Sequence, residues 1–464
     1  METVTNSSKR KIIILGAGIS GLTTAYWLHK ADLDFTIIEK NEIVGGSIES
    51  IFADGMLFDQ GPNSGLETTP LIRQLVDELN LNESFIYANK TGNKRYILKK
   101  GTLQALPMSL KGFVKTELFS TKAKLRLFLE PFIGRSKDGY YQSIAQFVQR
   151  RLGKEFLDYA INPFVAGVYA GKPEELSVKS AFPKLYALEE NYGGLMVGTV
   201  RSIRERKKRK EISKQSAKMF SFKQGMQTLP SSLYAKLKDK IILNSEVTRI
   251  SKAGKGYIVD YKNNNEEKQL NADIIISTIP SYKLSETIQD YDKELANRLN
   301  AIYHPPVMVL FISYKKSYIS VPLDGFGFLI PAKENKNFLG AIWSSVIFQD
   351  RSPEDKACFT IFVGGSRNAD IFTYSNDIII KKVISEFNEV MGIKADPESI
   401  LYRFWEKAIP QYNIGYIEHE NYFLKFEQEN KGFFLSGNYR GGISVGDCIK
   451  NSEIVANKVK SFIK

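Results

Sequence analysis

The chain predicts an α/β fold, a parallel sheet interleaved with an α+β unit and a helical unit, and three observations carry the parallel sheet. At the N-terminus, Lys11-Ile-Ile-Ile-Leu15 runs into Gly16-Ala-Gly18-Ile19-Ser20-Gly21, then a helical stretch, then Phe35-Thr-Ile-Ile-Glu39. Further on, Ile241-Ile-Leu-Asn-Ser-Glu-Val247 and Ala272-Asp-Ile-Ile-Ile-Ser-Thr-Ile279 have the length and β-branched content of strands returning to the same sheet. At the far end, Gly432-Phe-Phe-Leu-Ser436 leads through glycines into an amphipathic helix. Sheet segments this far apart in sequence make the domains interleaved, not consecutive.

Taken in order, the four apolar residues after Lys11 suit a strand buried on both faces. Gly16 permits a tight turn, Gly18 lets a pyrophosphate approach the backbone, and Gly21 lets the helix pack closely on the strand. The phosphate would sit at the helix N-terminus, by Ile19 and Ser20, where free N–H groups and the dipole favour negative charge. Glu39, followed by Lys40, ends the second strand about 20 residues on, where a carboxylate bonds ribose hydroxyls. A second glycine pair, Gly45-Gly46-Ser47, lets another loop approach the same pyrophosphate. NAD enzymes rarely carry such a pair, whereas flavoproteins of the glutathione-reductase-like and amine-oxidase-like kind do. Gly61-Pro62-Asn63-Ser64-Gly65 is another bulk-free turn, expected on the flavin side. Near the end, Gly437-Asn438 and Gly441-Gly442-Ile-Ser444-Val445-Gly446 precede a helix whose Cys448, Val455, Val459 and Phe462 share one face. Such a helix start suits the pyrimidine side of an isoalloxazine, where reduction places negative charge.

Between these ends, Pro107 to Lys218 reads as helices. Ser143-Ile-Ala-Gln146 is a capping box, and Ile144, Phe147, Val148, Leu152 and Phe156 follow at helical spacing as core. Thr121 to Phe132 mixes basic and large apolar residues, which fits a membrane-surface helix or a core helix. From Leu323 to Asn368, alternation at Phe326, Phe328, Ile330 and at Phe359, Ile361, Val363 predicts a largely antiparallel sheet. Asn263-Asn-Asn-Glu-Glu267 reads as a hairpin tip.

With 464 residues the chain has room for two or three domains. No apolar run approaches the roughly 20 residues of a spanning helix. Ten residues precede the first strand, too few for a leader, so the expectation is a cytosolic chain or one whose leader has been removed. Cys358 and Cys448 are far apart, and His29, His304 and His419 are scattered, so no metal site and no Cys/His or Ser/His/Asp arrangement is expected. Net charge is +13, densest from Arg201 to Lys218, with Arg204, Arg206, Lys207, Lys208, Arg209 and Lys210 nearly contiguous. A solvated helix face or loop is the default reading of such a run; interleaved aromatics and a nucleic-acid module are missing for nucleic acid, and the charge also suits attraction to anionic lipid.

Further motifs give the arrangement a family resemblance: Asn162-Pro-Phe-Val-Ala-Gly-Val-Tyr169-Ala-Gly171, Glu175-Leu-Ser-Val-Lys-Ser-Ala-Phe182, Ser221-Phe222-Lys-Gln-Gly225-Met-Gln-Thr-Leu-Pro230, Gly325-Phe-Gly-Phe-Leu-Ile-Pro331, Gly340-Ala-Ile-Trp-Ser-Ser345, Phe348-Gln-Asp-Arg351-Ser-Pro353 and Phe362-Val-Gly-Gly-Ser-Arg367-Asn368. In order and spacing they resemble the FAD-dependent protoporphyrinogen oxidases over nearly the whole chain, and Gly437-Asn-Tyr-Arg-Gly-Gly-Ile-Ser-Val-Gly446 is similar to the plant-type branch. The resemblance implies a Rossmann-like FAD-binding domain from 1–88, 219–290 and 411–464. It also implies a substrate domain from 89–106 and 291–410 and a helical membrane-contact domain at 107–218.

It further implies non-covalent FAD held by Gly16, Gly18, Gly21, Gly45, Gly46 and Val247, with Glu39 on the ribose and Gly446 near the isoalloxazine. The tetrapyrrole would be held by Arg95, matching the family's propionate-binding arginine, and by Leu329, Ile342 and Phe362, which match the residues that sandwich it. Ile342 stands where the family commonly has leucine. The implied reaction removes six electrons from a porphyrinogen: a meso carbon gives hydride to flavin N5, pyrrole protons leave by tautomerisation, and dioxygen takes the electrons. No protein base is required, which agrees with the lack of a catalytic dyad. Peripheral attachment to the inner face of a membrane, a homodimer and product hand-off to a ferrochelatase are further expectations. The competing readings are a coproporphyrinogen oxidase of the same fold, an amine oxidase or carotenoid desaturase, and a non-catalytic flavin or porphyrin carrier.

Overall fold

The computed structural model describes residues 10–209 and 217–464, with side chains throughout except at 205–209. Five parallel strands form one sheet in the order Ile241–Ile242, Phe35–Ile38, Ile12–Leu15, Ile274–Ser277, Phe433–Leu435. The first strand shows why its sequence is apolar without alternation. Ile12 and Ile14 pack into the core formed with the helices Ile19–His29 and Val445–Ile463. Ile13 and Leu15 point the other way, into a core that includes Tyr257, Val259, Leu284 and Ile288. Burial on both faces removes the polar half of a strand's pattern.

The run Ile241–Val247, read as one strand, is two. Asn244 adopts φ +52°, a left-handed conformation that asparagine tolerates, and turns the chain there. Ile241–Ile242 stays on the parallel sheet, while Ser245–Ala253 opens an antiparallel meander with Gly256–Asn263 and Glu266–Ala272. The hairpin tip falls at Asn264-Asn265, both with positive φ, as a two-residue turn of matching twist requires.

A seven-stranded sheet runs in the order Ser399–Trp405, Val307–Lys315, Lys356–Gly364, Phe338–Ile342, Gly327–Leu329, Tyr96–Lys99, Thr102–Ala105. It is antiparallel except where Gly327–Leu329 lies parallel to Tyr96–Lys99. One face carries Met308, Leu310, Phe328, Ala341, Ile361 and Val363 into a core completed by the helix Asn376–Met391. The opposite face looks toward the first half of the molecule and stays partly open.

Residues 107–209 form mainly short helices, including Ile144–Arg151, Asn162–Tyr169 and Leu195–Arg209. Ser143 and Gln146 make a reciprocal capping box. Gly153 at φ +93° ends that helix, so Phe156 joins the core from the next one. Arg151 is fully buried, its guanidinium on Glu189 and 2.8 Å from Glu130, and Glu130 also accepts the N–H groups of Leu195 and Met196 at 2.7 and 3.1 Å. A carboxylate at that helix start satisfies free donors and complements the dipole. The helix Thr121–Leu127 and the turn after it bury Ala123 but expose Leu125, Phe128, Leu129 and Phe132. No helix among the described residues is long and apolar enough to cross a membrane. Of the basic run, Arg201 and Arg204 lie in Leu195–Arg209, and the stretch Arg206 to Lys210 lies outside the described side chains.

Candidate functional site

Glycine loops meet at the carboxyl edge of the parallel sheet, where ligands of such sheets bind. Gly18 and Gly45 form a β-bridge, the Gly45 N–H donates to Ala17 O at 2.9 Å, and a Cβ on Gly46 would stand 3.3 Å from the Gly18 Cα. A side chain on Gly21 would come 1.9 Å from Gly16 O, so the helix Ile19–His29 can approach its own turn only with glycine there. Gly18 caps this helix with no side-chain hydrogen bond, leaving its first N–H groups to an anion. Ser20 takes part through its carbonyl, which accepts the Ser452 hydroxyl at 2.9 Å and ties this helix to the C-terminal one.

Glu39 is buried, and its carboxylate accepts the Ala17 N–H at 2.6 Å and the Asn41 N–H at 2.9 Å. It therefore braces the glycine turn itself and keeps further lone pairs for hydroxyl donors. Lys40 is exposed and pairs with Glu246 at 2.8 Å, beside Val247. Gly61 lies directly on the Ser47 carbonyl, where a Cβ would be 1.9 Å away, so the turn Gly61-Pro62-Asn63-Ser64 is stacked on the second glycine loop. Gly437 follows the last strand at φ +125°. The Asn438 carbonyl accepts the Tyr412 hydroxyl at 2.8 Å, and the Tyr412 hydroxyl oxygen in turn accepts the Gly442 N–H at 3.0 Å. Ser444 caps the C-terminal helix through the Asp447 N–H, Val445 is buried, and the Gly446 Cα abuts Thr68 and Leu66 O. A dinucleotide fits this cradle: bulk-free glycines line its floor and an uncapped helix start faces it.

Across from the cradle stands the second face of the seven-stranded sheet, where Val307, Val309 and Phe311 are buried against Met56, Phe58, Ala166 and Ala170. Leu329 pairs with Gly340 and Gly340 with Phe362, while Ile342 pairs with Gly327 one row away. Paired residues point to the same side, so Leu329, Ile342 and Phe362 share a face with glycine gaps between them. All three are partly exposed, whereas their strand neighbours Phe328, Ala341 and Ile361 are buried. Arg95 precedes Ile97, the partner of Leu329, by two residues and so belongs to the same face at its edge. Its guanidinium lies 5.4 Å over the Phe326 ring and has no carboxylate partner among the described residues. Neighbouring Lys94 is paired to Asp324. Arg95 is exposed, and the partial desolvation of its guanidinium holds its pKa below the usual guanidinium value.

Cradle and sheet face meet in a cavity lined by Asp59, Asn63 and Ser64 on one side and Phe326, Ile342 and Arg351 on the other. Asp59 and Arg351 form a buried ion pair of 3.2 Å in its wall. Burial pushes the Asp59 carboxyl up, opposed by Arg351, Ser50 and the Met226 N–H, and burial likewise pulls the Arg351 guanidinium down. Sequence reading passed over Asp59, Gln227 and Tyr412, whose partners are fixed only in three dimensions. An acid directly before the glycine turn was the available signal for Asp59. Tyr439, which would supply half of an aromatic cage for an amine, is fully buried edge-on against Phe423.

Residues 19–460 match the family model described as flavin containing amine oxidoreductase, and the chain belongs to that family. It is a flavin-dependent oxidoreductase. Among its relatives, it is 34% identical to protoporphyrinogen oxidase 2, chloroplastic/mitochondrial, of Arabidopsis thaliana, over 98% of this chain and 95% of that one. It is 25% identical to the coproporphyrinogen III oxidase of Bacillus subtilis over 99% of both. A crystal structure from Exiguobacterium sp. 255-15, provisionally named protoporphyrinogen oxidase, superposes with a TM-score of 0.82 at 20% identity, over 98% of this chain and 99% of that one.

Proposed function

We propose that the chain oxidises protoporphyrinogen IX to protoporphyrin IX with non-covalently bound FAD, passing the electrons to dioxygen. The observation that carries this is an apolar, glycine-gapped sheet face with a guanidinium at its edge that has no carboxylate partner among the described residues, set across a cavity from a dinucleotide cradle. A flat apolar macrocycle with carboxylate arms matches that combination, and the relatives' printed activities agree with it.

Bound flavin supplies the two-electron acceptor, used three times per product. The chain's own residues bind and orient. The glycine loops and Glu39 hold the dinucleotide. Leu329, Ile342 and Phe362 grip the macrocycle, and Arg95 takes a propionate by a charge-assisted hydrogen bond far from the reacting carbon. Excluding water from the cavity between them is the task of Phe326 and its neighbours.

Attachment to a membrane surface belongs to the same reading. Leu110, Val114, Leu125, Phe128 and Phe132 are exposed on the helical part of the chain, up to 87% at Leu110. Large apolar side chains beside lysines and arginines suit the boundary of an anionic bilayer, which also dissolves a greasy substrate.

Anaerobic mixing of the purified protein with protoporphyrinogen and, separately, coproporphyrinogen tests the reading. Bleaching of the flavin absorbance by the first, faster than by the second, is expected. Preferential bleaching by the tetracarboxylate would move the assignment to coproporphyrinogen oxidation, and no bleaching by either would leave a carrier.

A further inference from the structure

Arg351 belongs to the loop between the strands Phe338–Ile342 and Lys356–Gly364, the strands that present Ile342 and Phe362. Its guanidinium nonetheless reaches out of that sheet. One nitrogen meets Asp59 at 3.2 Å and the other donates to the Ser221 hydroxyl at 2.7 Å. Its carbonyl accepts the Leu57 N–H at 3.0 Å. Arg351 and Asp59 are 3% and 4% exposed.

From Asp59 the contacts run on to both cofactor loops. Its second oxygen accepts the Ser50 hydroxyl at 2.5 Å and the Met226 N–H at 2.8 Å. Ser50 accepts the Gln227 N–H at 3.0 Å, and the Gln227 amide donates to Val44 O at 2.8 Å, next to Gly45. In the other direction Asp59 directly precedes Gln60-Gly61-Pro62-Asn63-Ser64, and its carbonyl accepts the Asn63 amide at 3.3 Å. Gly225 cannot carry a side chain here, because a Cβ would lie 2.3 Å from the Ser50 hydroxyl and 2.9 Å from Asp59. A continuous polar chain thus joins the loop behind Ile342 to both glycine loops of the cradle.

A buried ion pair is an expensive way to stabilise a fold, since desolvation opposes the attraction and apolar side chains of like volume often do as well. It is an effective way to fix geometry, because both charges must stay in register to avoid an unpaired buried charge. We propose that Arg351 is a positioning residue: through Asp59 it fixes the flavin-side loops against the sheet face that holds the substrate, and so sets the approach of the reacting carbon to the flavin. This rests on the functional reading above.

The experiment uses holoenzyme of three variants, Arg351→Met, Arg351→Lys and the double variant Asp59→Asn/Arg351→Met, with four readouts: flavin content, thermal midpoint, anaerobic flavin reduction by protoporphyrinogen, and reduction by dithionite. Arg351→Met should lose stability through the unpaired Asp59 and reduce its flavin up to about a hundredfold more slowly with the porphyrinogen, as expected for ångström-scale misplacement. The porphyrinogen concentration that half-saturates this reduction should move far less. Arg351→Lys keeps the charge but not both contacts, and should recover stability more fully than rate. In the double variant stability should return while porphyrinogen-driven reduction stays slow. Dithionite, which needs no alignment with the sheet, should reduce all variants at the wild-type rate. A double variant in which rate returns together with stability would overturn the positioning role, as would wild-type reduction in Arg351→Met. Failure of the wild-type flavin to bleach with either porphyrinogen would instead sink the functional reading, and the dithionite arm shows that the flavin was competent.

Discussion

Leu329 and Phe362 point the same way from strands two apart, and only the bare Cα of Gly340 separates them. Strand spacing puts their backbones about 9–10 Å apart, and the Leu329 side chain leans across the buried glycine between them. A Cβ at position 340 would stand 2.5 Å from Phe328 O and 3.1 Å from the Leu329 side chain, at a φ of +157°. Leu329 can lie this way only because the strand has glycine where a side chain would displace it.

Gly340→Ala is therefore expected to shift the strand pairing and displace the Leu329 side chain. Strain and overpacking of this kind cost on the order of 1–3 kcal/mol. A thermal melt should record the lower midpoint, and steady-state kinetics should show a raised KM for protoporphyrinogen with FAD content unchanged. Wild-type KM in a destabilised variant would separate the glycine's role in the sheet from any role in binding.

Arg95→Ala and Phe362→Ala should fail differently. Arg95 acts on a propionate whose charge does not change during oxidation, so its loss removes binding common to ground and transition states and raises KM more than it lowers kcat. Because solvent reaches the guanidinium, the loss should be about 1–2 kcal/mol, below the value for a fully desolvated pair. Phe362→Ala loosens the grip on the macrocycle and should depress kcat as well. Flavin content should be wild-type in both. Unchanged KM in Arg95→Ala would remove the substrate assignment and leave the flavin cradle standing.

Much of the cradle was legible because glycine turns carry their reason locally. Gly16, Gly18 and Gly21 stand at spacings that a strand, a turn and a helix dictate, and Glu39 stands where the next strand must end. The sheet was legible from alternation at Phe328, Ile330, Phe359 and Ile361, which places Leu329 and Phe362 on the other face. What stayed hidden depends on contacts between distant segments. Asn244 looks like an ordinary strand residue until its φ is known. Asp59 meets Arg351 only after two sheets have been packed together, and Tyr412 finds Asn438 and Gly442 only through the C-terminal loop. Phe128 and Phe132 read equally well as core, and the fold turns them outward.

Membrane attachment should come in two parts with different salt dependence. Vesicles containing anionic lipid are expected to bind the protein, and raising the salt should weaken this by screening the basic residues around Arg201 and Arg204. Phe128→Glu/Phe132→Glu should weaken binding at every salt concentration and remove the part that survives high salt, since it places charge where apolar surface would enter the boundary. Sedimentation with vesicles measures both. Salt-sensitive binding of undiminished strength in the double variant would assign attachment to charge alone.

His304 gives the fold a pH dependence of its own. The ring is buried, 7% exposed, edge-on to Tyr282, with Nδ1 2.9 Å from Ile302 O, an arrangement that places the proton on Nδ1 and leaves the imidazole neutral. Burial drives its pKa down to about 4; the Ile302 carbonyl opposes this and Lys407 adds to it. The unfolded chain takes up the proton near the ordinary histidine pKa of about 6.5, while the folded chain resists until far lower. Below that value the unfolded state therefore binds more protons, and stability falls with pH. The contribution is fully present above about pH 6.5 and is lost progressively as pH falls toward the folded value. From about pH 7.5 to about pH 4.5 the loss should be roughly 2–3 kcal/mol. His304→Phe keeps the ring's volume and its contact with Tyr282 but cannot titrate. Denaturant unfolding at both pH values should show the variant losing that much less stability than the wild type across the interval, whatever its stability at neutral pH. Parallel pH profiles would mean that water or a nearby rearrangement lets the imidazole charge inside the fold.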